Sequence, residues 1–572
     1  MFLLLGSSSS AFAQTINGKI YGGGELATVD GNTNIKVNTG TVGKPADDPE
    51  EYNGGVFGGG LGQVTVVTGN VEVLIGRTGS EIDAEGPTIN GDVYGGSALG
   101  NTNCSMAKVA SDGKTTTVRL NAGVINGSMY GGALGQKPGS GDTIAIAANV
   151  YGPVQVEVNG GHVLRRSTDA GGSISGGIYG CNNLNGSPQT AVAVDIRSHN
   201  TATYTEGFSL FAVYGGGNQA DYSGGTPNVT IHNCSNNIEY VYGGGNAADL
   251  THATNGNTNV IIWGGNTIGN VFGGGNGQVH EANVAGNTNV TIHGGKIGNV
   301  FGGSNTDGNI GGSTSVSVEA EGGSDSCVMD IVNVYGGGNV AAGKSGTVTI
   351  ACTGEGVIEN VYGGANNANL TGDITLNITG GKIGNVFGGN NNGGTIDGKI
   401  TVNVDWTGSC GADSLNNVYG GGNKAAYTSN ANYPEVNIYN ATITGNVFGG
   451  GLGETAKVTG NPRVNVITNC PGNGHSYNHN VTIKGSVYGG GSAAPVEGNP
   501  IVTTQGDTDK KVLIENHVFG GGLGNTAEVD GSTRVNIYGN TEIQQNVYGG
   551  GNGGVVTGDT YVEIGESETP AP

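Results

Sequence analysis

The chain of 572 residues carries 22 Lys and Arg against 45 Asp and Glu, a formal net charge of −23, and its basic residues form no stripe. That balance excludes phosphate-backbone binding as a main activity. The 117 glycines lack the every-third-residue period of collagen, and 14 prolines are too few for a disordered Pro/Gly linker. Apolar residues, at 35%, are thin for a broad globular core but adequate for a narrow one fed by a few inward side chains per turn.

Residues 1–13 read as the end of a secretory signal peptide. Leu3 to Phe12 are apolar or small, and Ala11-Phe12-Ala13 forms a small-residue cleavage site before Gln14. The basic n-region is missing, so the recorded start reads as truncated. No later stretch reaches the roughly 18 apolar residues of a membrane helix.

From there a phrase recurs: Val or Ile, an aromatic residue, then two or three glycines. The aromatic falls at Tyr21, Phe57, Tyr94, Tyr130, Tyr179, Tyr214, Tyr242, Phe272, Phe301, Tyr335, Tyr362, Phe387, Tyr419, Phe448, Tyr488, Phe519 and Tyr548. A recurrence at about 25 to 32 residues marks a solenoid, a propeller or an array. Length alone would predict three or four globular domains. The repeat overrides this, because a solenoid over 14–565 is one quasi-one-dimensional domain.

Residues 270–299 show one coil in three strokes. Asn270-Val271-Phe272-Gly273-Gly274-Gly275-Asn276 comes first, followed by an apolar touch around Val284 and Gly286-Asn287. Thr288-Asn289-Val290-Thr291-Ile292 then alternates apolar and polar residues with period two, and Gly294-Gly295-Lys296-Ile297-Gly298 closes the turn. Period two with β-branched residues is the pattern of a half-buried strand, and glycine interrupts every window long enough for a helix. The fold class is therefore all-β: a single-stranded parallel β-solenoid (β-helix) of about 17 coils, with roughly three short strands per coil. Coils stacked about 4.8 Å apart set valine on valine, aromatic on aromatic and asparagine on asparagine.

Tyr and Phe interchange along the aromatic column, which reads as a structural ladder: a ring packed by its body, its tip near solvent or a backbone acceptor. The functional alternative is an exposed row on which sugar rings stack.

Spacing stretches around 40–55, 76–90, 131–178 and 449–487 mark inserted loops, which in solenoids often form the binding face. The insertion running from Cys470 through His475 to His479 offers one Cys and two His but no fourth ligand, so no metal is assigned. His252 and His280 read as exposed turn positions. Seven cysteines at irregular spacing form neither a disulfide framework nor a zinc pattern. Cys327 and Cys352, 25 residues apart, are placed to face each other on adjacent coils, the alternative being buried thiols.

The run Gly215-Gly216-Gly217-Asn218-Gln219-Ala220-Asp221, and likewise Gly243 to Asp249, approaches a calcium-binding nonapeptide. Most copies lack the Asp, so no calcium ladder is expected. Asp325, Asp330, Asp405 and Asp413 are acids of the kind a polysaccharide-cleaving β-helix needs, but nothing in the sequence pairs them. No catalytic residue and no cofactor is assigned. Residues 566–572 read as a linker-like tail.

The Val-Tyr/Phe-Gly-Gly-Gly-Asn phrase, with Gly-Asn-Thr-x-Val-x-Ile, resembles the glycine-rich repeat proteins exported by anaerobic gut bacteria. The likeness covers nearly all of 16–565 and implies an adhesin-like protein that is extracellular or on a bacterial cell surface. The expected function is a structural or adhesive rod. Its expected partners are glycans or other surface or matrix proteins, not nucleic acid, with end-to-end self-association left open. The alternative is a carbohydrate-active β-helix that binds or cleaves polysaccharide.

Overall fold

The computed structural model describes residues 14–44, 53–77, 86–139, 144–163, 176–197, 210–254, 256–322, 327–407, 410, 413–429, 431–468 and 479–565. It is an all-β parallel solenoid, and its chain forms two compact units, residues 1–211 and 212–572.

In the first unit the Thr/Val strands Thr33–Val37, Val71–Ile75, Thr116–Leu120, Val154–Val158 and Val192–Ile196 lie parallel and in register. Alternate side chains point inward, so Val73, Val118, Val156 and Val194 form a continuous buried column. A second sheet carries the aromatic strands Lys19–Tyr21, Gly54–Phe57, Gly91–Tyr94, Met129–Tyr130 and Gly177–Tyr179. A third, weaker track is made of the pair Val66–Val67 with Asn101–Thr102 and of single bridges such as Val150 to Pro188.

The second unit repeats the plan. Its Thr/Asn strands run from Pro227–Ile231 to Thr560–Gly565, and its aromatic strands from Asn237–Tyr242 to Val547–Tyr548. Bridges through Tyr222, Leu250, Val284 and Ile310 begin the third track.

Two contacts explain the fixed phrase after the ring. A Cβ added to Gly273 would lie 2.4 Å from the Gly302 carbonyl oxygen, and one on Gly274 would lie 2.3 Å from Ser304 Oγ. The next coil leaves no room there, so glycine is required by close approach rather than by an unusual φ. Threonine at the head of the Thr/Asn strand locks the same corner: Thr258 Oγ1 donates to Gly273 O at 2.6 Å and Thr33 Oγ1 to Gly58 O at 2.7 Å.

Candidate functional site

The aromatic column is a stack of rings in each unit. Tyr21, Phe57, Tyr94, Tyr130 and Tyr179 follow one another at 4.7–5.0 Å in the first. In the second, Tyr214, Tyr242, Phe272, Phe301, Tyr335, Tyr362, Phe387, Tyr419, Phe448, Tyr488, Phe519 and Tyr548 do the same. From Phe57 to Phe519 no ring residue is more than 6% exposed, while Tyr548 is 41% exposed. The alternative of an exposed stacking row is therefore corrected for those buried rings: they are covered and stacked on one another.

The hydroxyl tips find a partner that the sequence did not indicate. Tyr242 Oη donates to Asn276 Oδ1 at 3.1 Å and accepts from Asn305 Nδ2 at 3.2 Å, and Asn391 Nδ2 donates to Tyr335 Oη at 3.1 Å. These tips meet side-chain amides rather than the solvent or backbone acceptor expected. Burial pushes the Tyr335 and Tyr419 phenols up to about 12, and raises those of Tyr130, Tyr179 and Tyr362 as well.

The amides form ladders of their own. After the glycines, Asn218, Asn246, Asn276, Asn305, Asn339, Asn366, Asn391 and Asn423 are linked one to the next by Nδ2 to Oδ1 bonds of 2.8–3.0 Å. A second ladder climbs the aromatic sheet through Asn270, Asn299, Asn333, Asn360, Asn385 and Asn417 at 2.9–3.2 Å. One amide donates and the next accepts, and at Asn276, Asn305 and Asn391 the remaining capacity is taken by tyrosine hydroxyls.

The acids take up positions other than catalytic pairing. Asp221 Oδ1 accepts from the Asp249 N–H at 2.9 Å, and Asp249 Oδ1 from the Asn283 N–H at 2.8 Å. In the near-calcium motifs, therefore, the carboxylate of one coil caps the backbone of the next. Asp413 Oδ1 accepts from Gly381 N–H at 2.5 Å, Asp330 and Asp405 stand three coils apart, and Asp325 lies outside the described residues. Among the described residues no group of three or more His, Cys, Asp or Glu is placed to hold a metal. His479 is exposed, whereas Cys470 and His475 lie outside the described residues, and His280 is exposed at a turn.

The expected facing of Cys327 and Cys352 is corrected: Cys234 is bonded to Cys327 and Cys352 to Cys410. Cys327 lies over Gly294, whose added Cβ would meet Cys327 O at 2.7 Å, and reaches Cys234 three coils earlier. Cys410 lies beside Gly380, whose added Cβ would stand 3.4 Å from the Cys410 Cβ, and reaches Cys352. Cys104 and Cys181 are buried thiols, and burial pushes Cys104 up to about 11.

A depression interrupts the outer face of the second unit. The residue after the inward Ile is Glu239, Val332 or Glu359 in some coils and Gly384 in another, but Gly269 and Gly298 in two successive ones. A recess of about 500 Å³ lies at these two glycines, edged by Lys296, Asp330, Val332, Val357 and Glu359. The sequence held its signal, the repeated Ile-Gly-Asn-Val-Phe at 268–272 and 297–301, but only stacking shows that the two glycines adjoin.

No protein-family model matches the chain, and neither curated proteins nor solved structures show significant similarity to it.

Proposed function

We propose that this chain is a secreted or cell-surface adhesive protein of the glycine-rich repeat kind, binding glycans or other polar matrix partners through its repeated outer faces. The observation that carries this reading lies on the Thr/Asn sheet of the second unit. Asn259, Asn289, Ser315, Thr347, Thr375 and Thr401 fall in one outward column, and Thr291, Ser317, Thr349, Asn377 and Asn403 in the next. Every rung offers uncharged hydroxyl or amide groups, so one weak contact is presented many times, and weak contacts at high effective concentration add up without a deep pocket. The two disulfides support an oxidising setting.

The test is adhesion of the full chain to immobilised polysaccharide, compared with variants lacking one, two or three coils from residues 258–405. The expected result is a graded loss with each coil removed. An all-or-none loss traced to one acid pair, with turnover of the polysaccharide, would instead establish a carbohydrate-active enzyme.

A further inference from the structure

The recess over Gly269 and Gly298 differs chemically from the repeated faces around it. Ring spacings of 4.7–5.0 Å separate these coils, so Glu239 and Val332, three coils apart, leave a gap of about 14 Å along the stack. The floor is glycine backbone over Ile268 and Ile297, which are almost wholly buried. One wall is apolar: Val332 and Val357 are 42% and 44% exposed, although inward valines elsewhere are sealed. Around it stand one ammonium, Lys296, and two carboxylates, Asp330 and Glu359. Lys296 and Asp330 are register partners, yet among the described residues none of the three side chains joins an ion pair or a side-chain hydrogen bond.

We propose that this recess seats one neutral pyranose residue of a glycan. The inference rests on the adhesive reading and names a ligand class for one place within it. A pyranose has an apolar C–H face, which fits the exposed Val332 and Val357 beside the glycine backbone, and a hydroxyl edge that both donates and accepts. Lys296 only donates and the two ionised carboxylates only accept, so together they match hydroxyls in both roles. An aliphatic side chain of a peptide would fill the floor but leave those three groups covered and unpartnered, which is costly. Acidic sugars meet two carboxylates against one ammonium on a chain of net charge −23, and are repelled. The volume lies within the range of small-ligand sites.

The experiment is saturation-transfer NMR on the full chain with methyl glucoside, methyl galactoside, methyl mannoside and N-acetylglucosamine. Glucuronate and N-acetyl-leucine methylamide serve as contrasting probes. Saturation of the ring C–H protons of at least one neutral pyranose is expected, with none for glucuronate. Gly298→Val, whose Cβ would stand 2.5 Å from Gly269 O in the floor of the recess, should abolish the signal, and Lys296→Gln should weaken binding about tenfold. Should Gly298→Val alter the circular dichroism, the pair Asp330→Asn with Glu359→Gln replaces it, and the same loss is expected. Silence from all four neutral sugars, indifference to these variants, or saturation of the leucine amide in their place overturns the proposal. Adhesion measured alongside separates the two readings. A chain that adheres to polysaccharide while its variants still bind the pyranose unchanged overturns the recess alone. A chain that binds the pyranose there yet adheres to no polysaccharide overturns the adhesive reading alone.

Discussion

Cys234 and Cys327 are joined by a disulfide although they belong to corners three coils apart, with the corners at Trp263 and His293 lying between them. Cys327 lies against the second of these, its carbonyl oxygen over Gly294. His293, stacked on Trp263 at 4.1 Å, makes a 3.0 Å contact between its Nδ1 and Glu319 O. The disulfide is thus a strap across the edge of the stack, and Cys352 with Cys410 forms a second one over Gly380.

Non-reducing peptide mapping should therefore recover Cys234–Cys327 and Cys352–Cys410 as linked peptides. A Cys327–Cys352 peptide would show the straps to be misplaced. Replacing Cys234 and Cys327 together by serine should lower the resistance of the flanking coils by about 2–4 kcal/mol, read as faster hydrogen exchange across residues 258–300.

The Cys234–Cys327 strap demands glycine beneath it. An added Cβ at Gly294 would lie 2.7 Å from Cys327 O and 2.8 Å from Trp263 O, both main-chain atoms, whereas Gly322 has nothing within 4 Å. Gly294→Ala is expected to cost about 1–3 kcal/mol and Gly322→Ala almost nothing. Equal melting behaviour of the two variants would contradict the packing described.

The core is only a few side chains wide, so a buried charge has nowhere to go. Val300 is wholly buried, in register with Val271 and Val334. Val300→Asp should destabilise its coils by about 3–5 kcal/mol. Asn289→Ala, which removes an exchangeable ladder bond to Asn259 at 3.1 Å, should cost about 1 kcal/mol. Limited proteolysis should cut the first variant near residues 270–335 well before the second.

The tyrosine stack predicts an alkaline limit. Burial raises the Tyr335 and Tyr419 phenols from 10.0 to about 12, so the folded chain holds their protons more tightly than the unfolded chain does. Their stabilising contribution is complete below pH 10 and is lost as the pH rises through about 12. Ultraviolet titration should show a class of tyrosines that ionises only in that upper window, together with loss of the β signal. Ionisation of every tyrosine near pH 10 in the folded chain would contradict the burial.

The recurring aromatic, the glycines after it and the period-two Thr-Asn-Val-Thr-Ile strokes determined the coil by themselves. A strand that buries one face, and a glycine that tolerates a neighbour's carbonyl, are properties of residues a few positions apart. Phe272 on Phe301 and Val290 on Val316 follow directly from aligning such copies. Which cysteines meet and which amide reaches the Tyr242 hydroxyl depended instead on tertiary structure. Those contacts join residues 34 to 93 positions apart. They link positions that are not equivalent in the repeat, so no local period records them.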